Sequence, residues 1–227
     1  MNLSKEETTN SNRLIDFYMY WDNMDYPNIV AYESMEFPDI FEPIYYKYQI
    51  NLDGLTKLKE YNLEYRLAID LINKSKRCNQ LSRYNEAILY IYRACELICK
   101  LELQEQYQLN TEKISINMLR KLKVNEKFIN HISMDHKYHN INISLKNSFE
   151  LLYELNDILG KFYHLNRFDI NDIITIRHHS MLVHGINHVS YLQYEKYEYV
   201  VRQLIKLFDK DSLNLLSMTE FPRFEVN

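Results

Sequence analysis

Glycine is almost missing from this chain: its 227 residues include only Gly54, Gly160 and Gly185, alongside four prolines. An all-β chain needs turn residues every few positions, and glycine and proline supply most of them. A chain this long without them is left with long helices as its natural solution. The same scarcity excludes chemistry. Phosphate loops and dinucleotide fingerprints need several glycines close together, because backbone must approach phosphate closely. No such cluster occurs, which removes nucleotide-dependent kinases, ATPases and the common dehydrogenases. Hydrophobic residues make up 46% of the chain, enough to bury a sizeable core.

Apolar residues recur at helical spacing throughout. Leu14, Phe17, Tyr18 and Trp21 define a helix within residues 1 to about 22, and Pro27, Pro38 and Pro43 then punctuate a stretch of short helix and loop. Leu55, Leu58, Leu63, Leu67 and Leu71 predict one long helix from Leu52 to about Arg77, with Gly54 near its start. Tyr84, Ala87, Ile88, Ile91, Cys95 and Ile98 mark the clearest helix, with Glu86, Arg93 and Lys100 off its stripe. Asn110 or Thr111 is placed to cap a helix through Leu122. A long helix from Leu145 to Leu159 is expected to stop at Gly160 as a C-cap. Asn171 is expected to cap a helix from Asp172 to His184, which Gly185 ends. A last helix covers Tyr191 to Phe208, ahead of an irregular tail from Asp209. No repeat or flexible linker interrupts this pattern. The expectation is a single all-α domain over residues 1–227. It is an antiparallel helical bundle with additional N-terminal helices, residues 1–50 packing on the bundle as an extension.

The net charge is -4 and the pI about 6.1, so affinity for nucleic acid is not written over the whole surface and would rest on local basic patches. Cys78, Cys95 and Cys99 are odd in number and form no C-x-x-C pair; buried free thiols in a reducing compartment fit better than disulfides or zinc. The polar N-terminus has no signal core, and no apolar run is long enough for a membrane span, so the expected location is cytoplasmic.

Residues 177–185, RHHSMLVHG, carry the sharpest chemical signal. Arg177 and His184 stand seven positions apart, nearly two helical turns, so a continuous helix puts both on one face, roughly 10 Å apart along the axis. A fixed cation and a group that titrates near neutrality then face one site. That pair suits phosphodiester cleavage in RNA. Histidine can exchange protons with the 2′-hydroxyl or the leaving oxygen, and arginine can hold the non-bridging oxygens. No metal or cofactor is required, because RNA carries its own nucleophile. An Arg and a His at this spacing also occur by chance, as a surface cation and a core histidine near a helix end.

Resemblance sharpens the reading. RHHSMLVHG resembles the Arg-x4-6-His signature of the HEPN ribonuclease superfamily, in its longer form and followed by Gly. RYNEAILYIYRACELI, residues 83–98, is similar to a helix of the CRISPR-associated type III accessory ribonucleases, with their Tyr-Arg-x-x-Glu core at Tyr92, Arg93 and Glu96. YWDNMDYPNI, residues 20–29, resembles the Trp-Asp region upstream in that group. The resemblance implies a helical-bundle endoribonuclease that cuts single-stranded RNA, works as a homodimer with both motifs lining one cleft, and uses Arg177 and His184 as catalytic residues. His178 stands where the family often has Asn and would support the site, as would Arg93 and Glu96, although those two could also be a plain surface ion pair. In the resembling group a CARF domain, a sensor of cyclic oligoadenylate, normally precedes this region. The glycines and alternating strands for it are missing here. A stand-alone effector, half of a two-gene system with a separate regulatory or sensor protein, or a relative used for something else would fit.

Arg120, Lys121, Lys123 and Lys127 form a weak candidate RNA-binding patch, balanced against a solvated face of the same composition. Asp135, His136 and His139 make a poor metal signal, and no metal site is expected. Two other readings compete with a defence ribonuclease: the toxin half of a HEPN toxin–antitoxin pair, and a helical module that binds protein or RNA without catalysis.

Overall fold

The computed structural model describes residues 5–32, 35, 42–133, 140–179 and 188–222, with backbone alone at 5–8, 140, 178 and 179. The described residues are overwhelmingly helical. Their one sheet is a pair of two-residue strands, as an all-α chain with few turn residues should give. The chain divides into two compact units, residues 1–62 with 214–227, and residues 63–213.

The first unit holds α1 (Lys5–Asp22), α2 (Tyr26–Ile29), a 3-10 turn (Val30–Tyr32) and α3 (Glu42–Leu58). Its core is Leu14, Phe17, Trp21, Ile29, Tyr48 and Leu55, so the stripe read on α1 points inward. Aromatic rings meet edge to face there, Phe17 and Tyr48 with centroids 5.1 Å apart. Their hydroxyls still find partners: Tyr48 donates to the Tyr32 carbonyl at 2.7 Å and Tyr18 to Asn51 Oδ1 at 2.8 Å. The expected irregular tail instead begins with a helix, α12 (Ser212–Met218), that buries Leu215 and Leu216. The end of α12 and the chain after it are tied to α3, where Asn51 Nδ2 donates to the Met218 and Glu220 carbonyls. Gly54 sits inside α3, not at a helix start. A Cβ there would meet Thr219 Cγ2 at 2.9 Å, so glycine allows the tail to lie this close.

The expected single helix from Leu52 to Arg77 is two helices. Amides at Lys59, Glu60 and Tyr61 bond three residues back, to Thr56, Lys57 and Leu58, which tightens the end of α3 into 3-10 geometry. The leucine stripe slips at the same place. Leu58 is buried and Leu63 is 59% exposed, and burial resumes at Tyr65, Ala68, Ile69 and Ile72.

The second unit starts with α4 (Leu63–Gln80) and α5 (Tyr84–Tyr107), a hairpin turned through Ser82 in the left-handed region, φ 57°. α5 is its central helix, packed by α4, α8, α10 and α11. It is therefore buried nearly all round rather than along one stripe. β1 (Ile114–Ser115) pairs antiparallel with β2 (Asn140–Ile141), with Ile114 opposite Ile141. The strand takes the place of the helix start expected at Asn110 or Thr111. Asn110 Oδ1 accepts from the Glu112 amide at 2.9 Å in a local turn, and α6 (Ile116–Lys121) begins later. α7 (Glu126–Ser133) follows.

The expected helix from Leu145 to Leu159 is also two, α8 (Leu145–Glu154) and α9 (Ile158–Leu165). The turn uses Asn156 at φ 60° and Asp157, whose Oδ1 caps α9 through the Leu159 amide at 2.7 Å. Gly160 is inside α9, not a C-cap. A Cβ at 160 would fall on the backbone of Leu152 and Tyr153, so glycine lets α8 and α9 cross. α10 (Arg167–His179) begins before Asn171, whose Oδ1 accepts from the Tyr163 hydroxyl at 3.2 Å instead of capping. The expected continuation to His184 and the Gly185 cap lie outside the described residues. α11 (Tyr191–Phe208) has the bounds read from the sequence and opens on a capping box, Ser190 with Gln193.

Candidate active site

Two segments far apart in sequence meet where α10 packs on α5. The guanidinium of Arg177, near the end of α10, lies over the ring of Tyr92, its central carbon 5.1 Å from the ring centroid. Tyr92 is buried, 8% exposed, and Arg177 is half-buried. Burial holds the Tyr92 phenol above its ordinary range, and the charge and hydrogen bonding of Glu96 push the same way; Arg177 pulls it down. The phenol is therefore neutral at physiological pH and able to donate. One turn of α5 places Glu96 on the same side as Tyr92. Arg93 Nη1 reaches Glu96 Oε2 at 3.0 Å.

Of the residues singled out in the sequence, Arg177 is thus brought to the Tyr-Arg-x-x-Glu core, and Arg93 and Glu96 are paired with each other. Arg93 is 56% exposed, so the ion pair by itself adds little stability, on the order of a few tenths of a kcal/mol. Arg93 and Glu96 also wall a polar cleft of about 130 Å³ with Lys100, Thr111, Glu112 and Asn142. His178 occupies the last turn of α10; its side chain, and His184 entirely, lie outside the described residues. Beyond that stretch the chain is anchored again. The Val189 amide donates to Asn85 Oδ1 at 2.8 Å, on α5 two turns before Tyr92.

A family model described as the Csm6 HEPN domain matches residues 56–208, about two thirds of the chain. The chain belongs to the Csm6 HEPN domain family. Neither the curated proteins nor the solved structures include a match. The match runs from within α3 to the end of α11, so both Arg177 and the Tyr92–Glu96 core fall inside it. Membership supports a function of the ribonuclease type in a CRISPR-associated setting. Trp21 lies outside the matched residues; it is 1% exposed in the aromatic core of the first unit, which accounts for it without a role in chemistry.

The remaining candidates of this HEPN chain sit elsewhere. Arg120, Lys121, Lys123 and Lys127 are exposed together on the corner between α6 and α7. Arg120 is held by Glu126 on that corner, Nε to Oε1 at 2.8 Å and Nη2 to Oε2 at 3.3 Å. Lys123 occupies the left-handed turn position, φ 59°. Asp135, His136 and His139 lie outside the described residues, among which no group of three potential metal ligands gathers. All three cysteines are buried and free, and burial pushes the Cys95 thiol up to about 12, so it is not a nucleophile. No helix among the described residues is long and apolar enough to cross a membrane.

Two residues of this site, Tyr92 and Asn85, have no role assigned from the sequence. Tyr92 had a legible signal in its four-residue spacing to Glu96. Asn85 had none, since its partner is a backbone amide distant in sequence.

Proposed function

We propose that this chain is an endoribonuclease that cuts single-stranded RNA without a metal ion, in the cytoplasm and in CRISPR-associated antiviral defence. The observation that carries the reading is the meeting of Arg177 with Tyr92 inside the residues matched by the family model. The anchoring of Val189 on Asn85 supports it too. Chain on either side of residues 180–187 is held to α5, at positions roughly 10 Å apart along that helix.

In the proposed reaction the 2′-oxygen attacks the adjacent phosphorus. An O2′–P bond forms as the P–O5′ bond breaks. His184 of one protomer takes the 2′-hydroxyl proton, and His184 of a second copy gives a proton to the leaving 5′-oxygen. Arg177 holds the non-bridging oxygens, on which charge grows in the transition state. The products are a 2′,3′-cyclic phosphate and a 5′-hydroxyl. His178 supports His184, and the Arg93–Glu96 pair supports Arg177 through Tyr92.

A cleavage assay on a single-stranded RNA oligonucleotide with EDTA present tests the reading. The parent protein should cut, leaving the cyclic end. Both His184→Ala and Arg177→Ala should lose about 10²-fold or more. Arg177→Lys should recover only part, because an ammonium lacks the planar fork that grips two oxygens. A single 2′-deoxy at the cut site should block it. Full activity in His184→Ala, or abolition of cutting by EDTA, would contradict the proposal.

A further inference from the structure

We infer that the Tyr92 ring is a positioning residue for Arg177, holding its guanidinium through the ring face while the in-plane N–H groups address phosphate. The inference rests on the catalytic reading of Arg177 above and assigns the part of the site that orients it.

An arginine that must meet a phosphorus centre within a few tenths of an ångström has a long side chain with many rotamers, and small misplacements are costly in rate. It therefore needs a support. A carboxylate support would occupy the same N–H donors that must grip phosphate oxygens. An aromatic face attracts the cation through its quadrupole and uses none of those donors. Here the guanidinium carbon stands 5.1 Å from the Tyr92 centroid, within cation–π range, so the ring face takes part in holding it. The ring is itself fixed. It is 8% exposed on the central helix of its unit, so packing limits its rotation. Glu96, one turn on, acts on its phenol by charge, and Glu96 is tied to Arg93 at 3.0 Å. Arg93, Glu96, Tyr92 and Arg177 thereby form one connected series. The Tyr-Arg-x-x-Glu spacing then has a physical reason, since the first and last residues must share a face and the second must reach the last.

The test compares Tyr92→Leu, Tyr92→Phe and Arg177→Ala on single-stranded RNA in EDTA. Tyr92→Leu should lower kcat about tenfold, the rate equivalent of a desolvated cation–π interaction, with a much smaller change in KM. Tyr92→Phe keeps the ring and should recover most of that loss. Adding Tyr92→Leu to Arg177→Ala should cost nothing further, because the residue it positions is gone. A series of phenylalanines at 92 with increasing ring fluorination keeps the shape and drains the ring face; kcat should fall stepwise along it, which a packing role would not produce. That series carries the test if the leucine variant does not fold. Full kcat in Tyr92→Leu, or a flat fluorination series, beside an inactive Arg177→Ala overturns this inference alone. Full activity in Arg177→Ala overturns the nuclease reading, and this inference with it.

Discussion

Replacing Glu102 with Gln should remove a pH dependence from the stability of this fold. Glu102 lies on α5 and is 8% exposed, facing Asp157 at the start of α9. Asp157 already accepts the Leu159 amide on one oxygen and the Tyr107 hydroxyl, at 2.9 Å, on the other. Burial, then the charge and hydrogen bonding of Asp157, and then Glu105, raise the Glu102 carboxyl from its ordinary 4.5 to about 7. A raised carboxyl means the folded state binds the proton more tightly than the unfolded chain does. The associated stability is therefore fully present below about pH 4.5 and is lost as the pH climbs to about 7. At about 1.4 kcal/mol per unit, the loss amounts to at most about 3 kcal/mol. Glutamine keeps the shape of the protonated acid and never ionises. Urea unfolding should give similar midpoints for parent and Glu102→Gln near pH 5, and a variant more stable by about 2–3 kcal/mol near pH 8. Parallel stability curves over that range, or a variant weaker than the parent at pH 8, would refute the reasoning.

Gly160→Ala should destabilise by about 1–3 kcal/mol or more and lower the melting temperature, because its methyl lands on the α8 backbone, which cannot swing away as a side chain could. Changing Lys121, Lys123 and Lys127 together to Gln should reduce the salt dependence of RNA binding by about 0.7 in log–log slope for each phosphate no longer neutralised. An unchanged slope would leave the α6–α7 corner as ordinary solvated surface. Light scattering at micromolar concentration should give the mass of a dimer, since the proposed reaction uses one His184 as acceptor and another as donor. A monomer whose activity is unaffected by dilution would contradict it.

Helical class, the bounds of α11, the buried stripe of α1 and the two motifs that meet at Tyr92 and Arg177 were all legible in residue order. Each depends on local rules: apolar period, capping chemistry and the shortage of turn residues. The helix stops were less legible, because they do not fall at the glycines. The chain turns at Asn156 and Asp157 instead, and ends α3 in a 3-10 turn containing neither glycine nor proline. Gly54 and Gly160 do mark something, but it is close approach, to the chain after α12 and to α8, and a local reading cannot see what lies opposite a residue. Arg177 illustrates the same division. Its place in an Arg-x6-His motif is a property of the sequence alone, as is the spacing of Tyr92 to Glu96. That its guanidinium rests on the Tyr92 ring is decided by the packing of α10 against α5, because the direction of a long flexible side chain is set by the surface it meets.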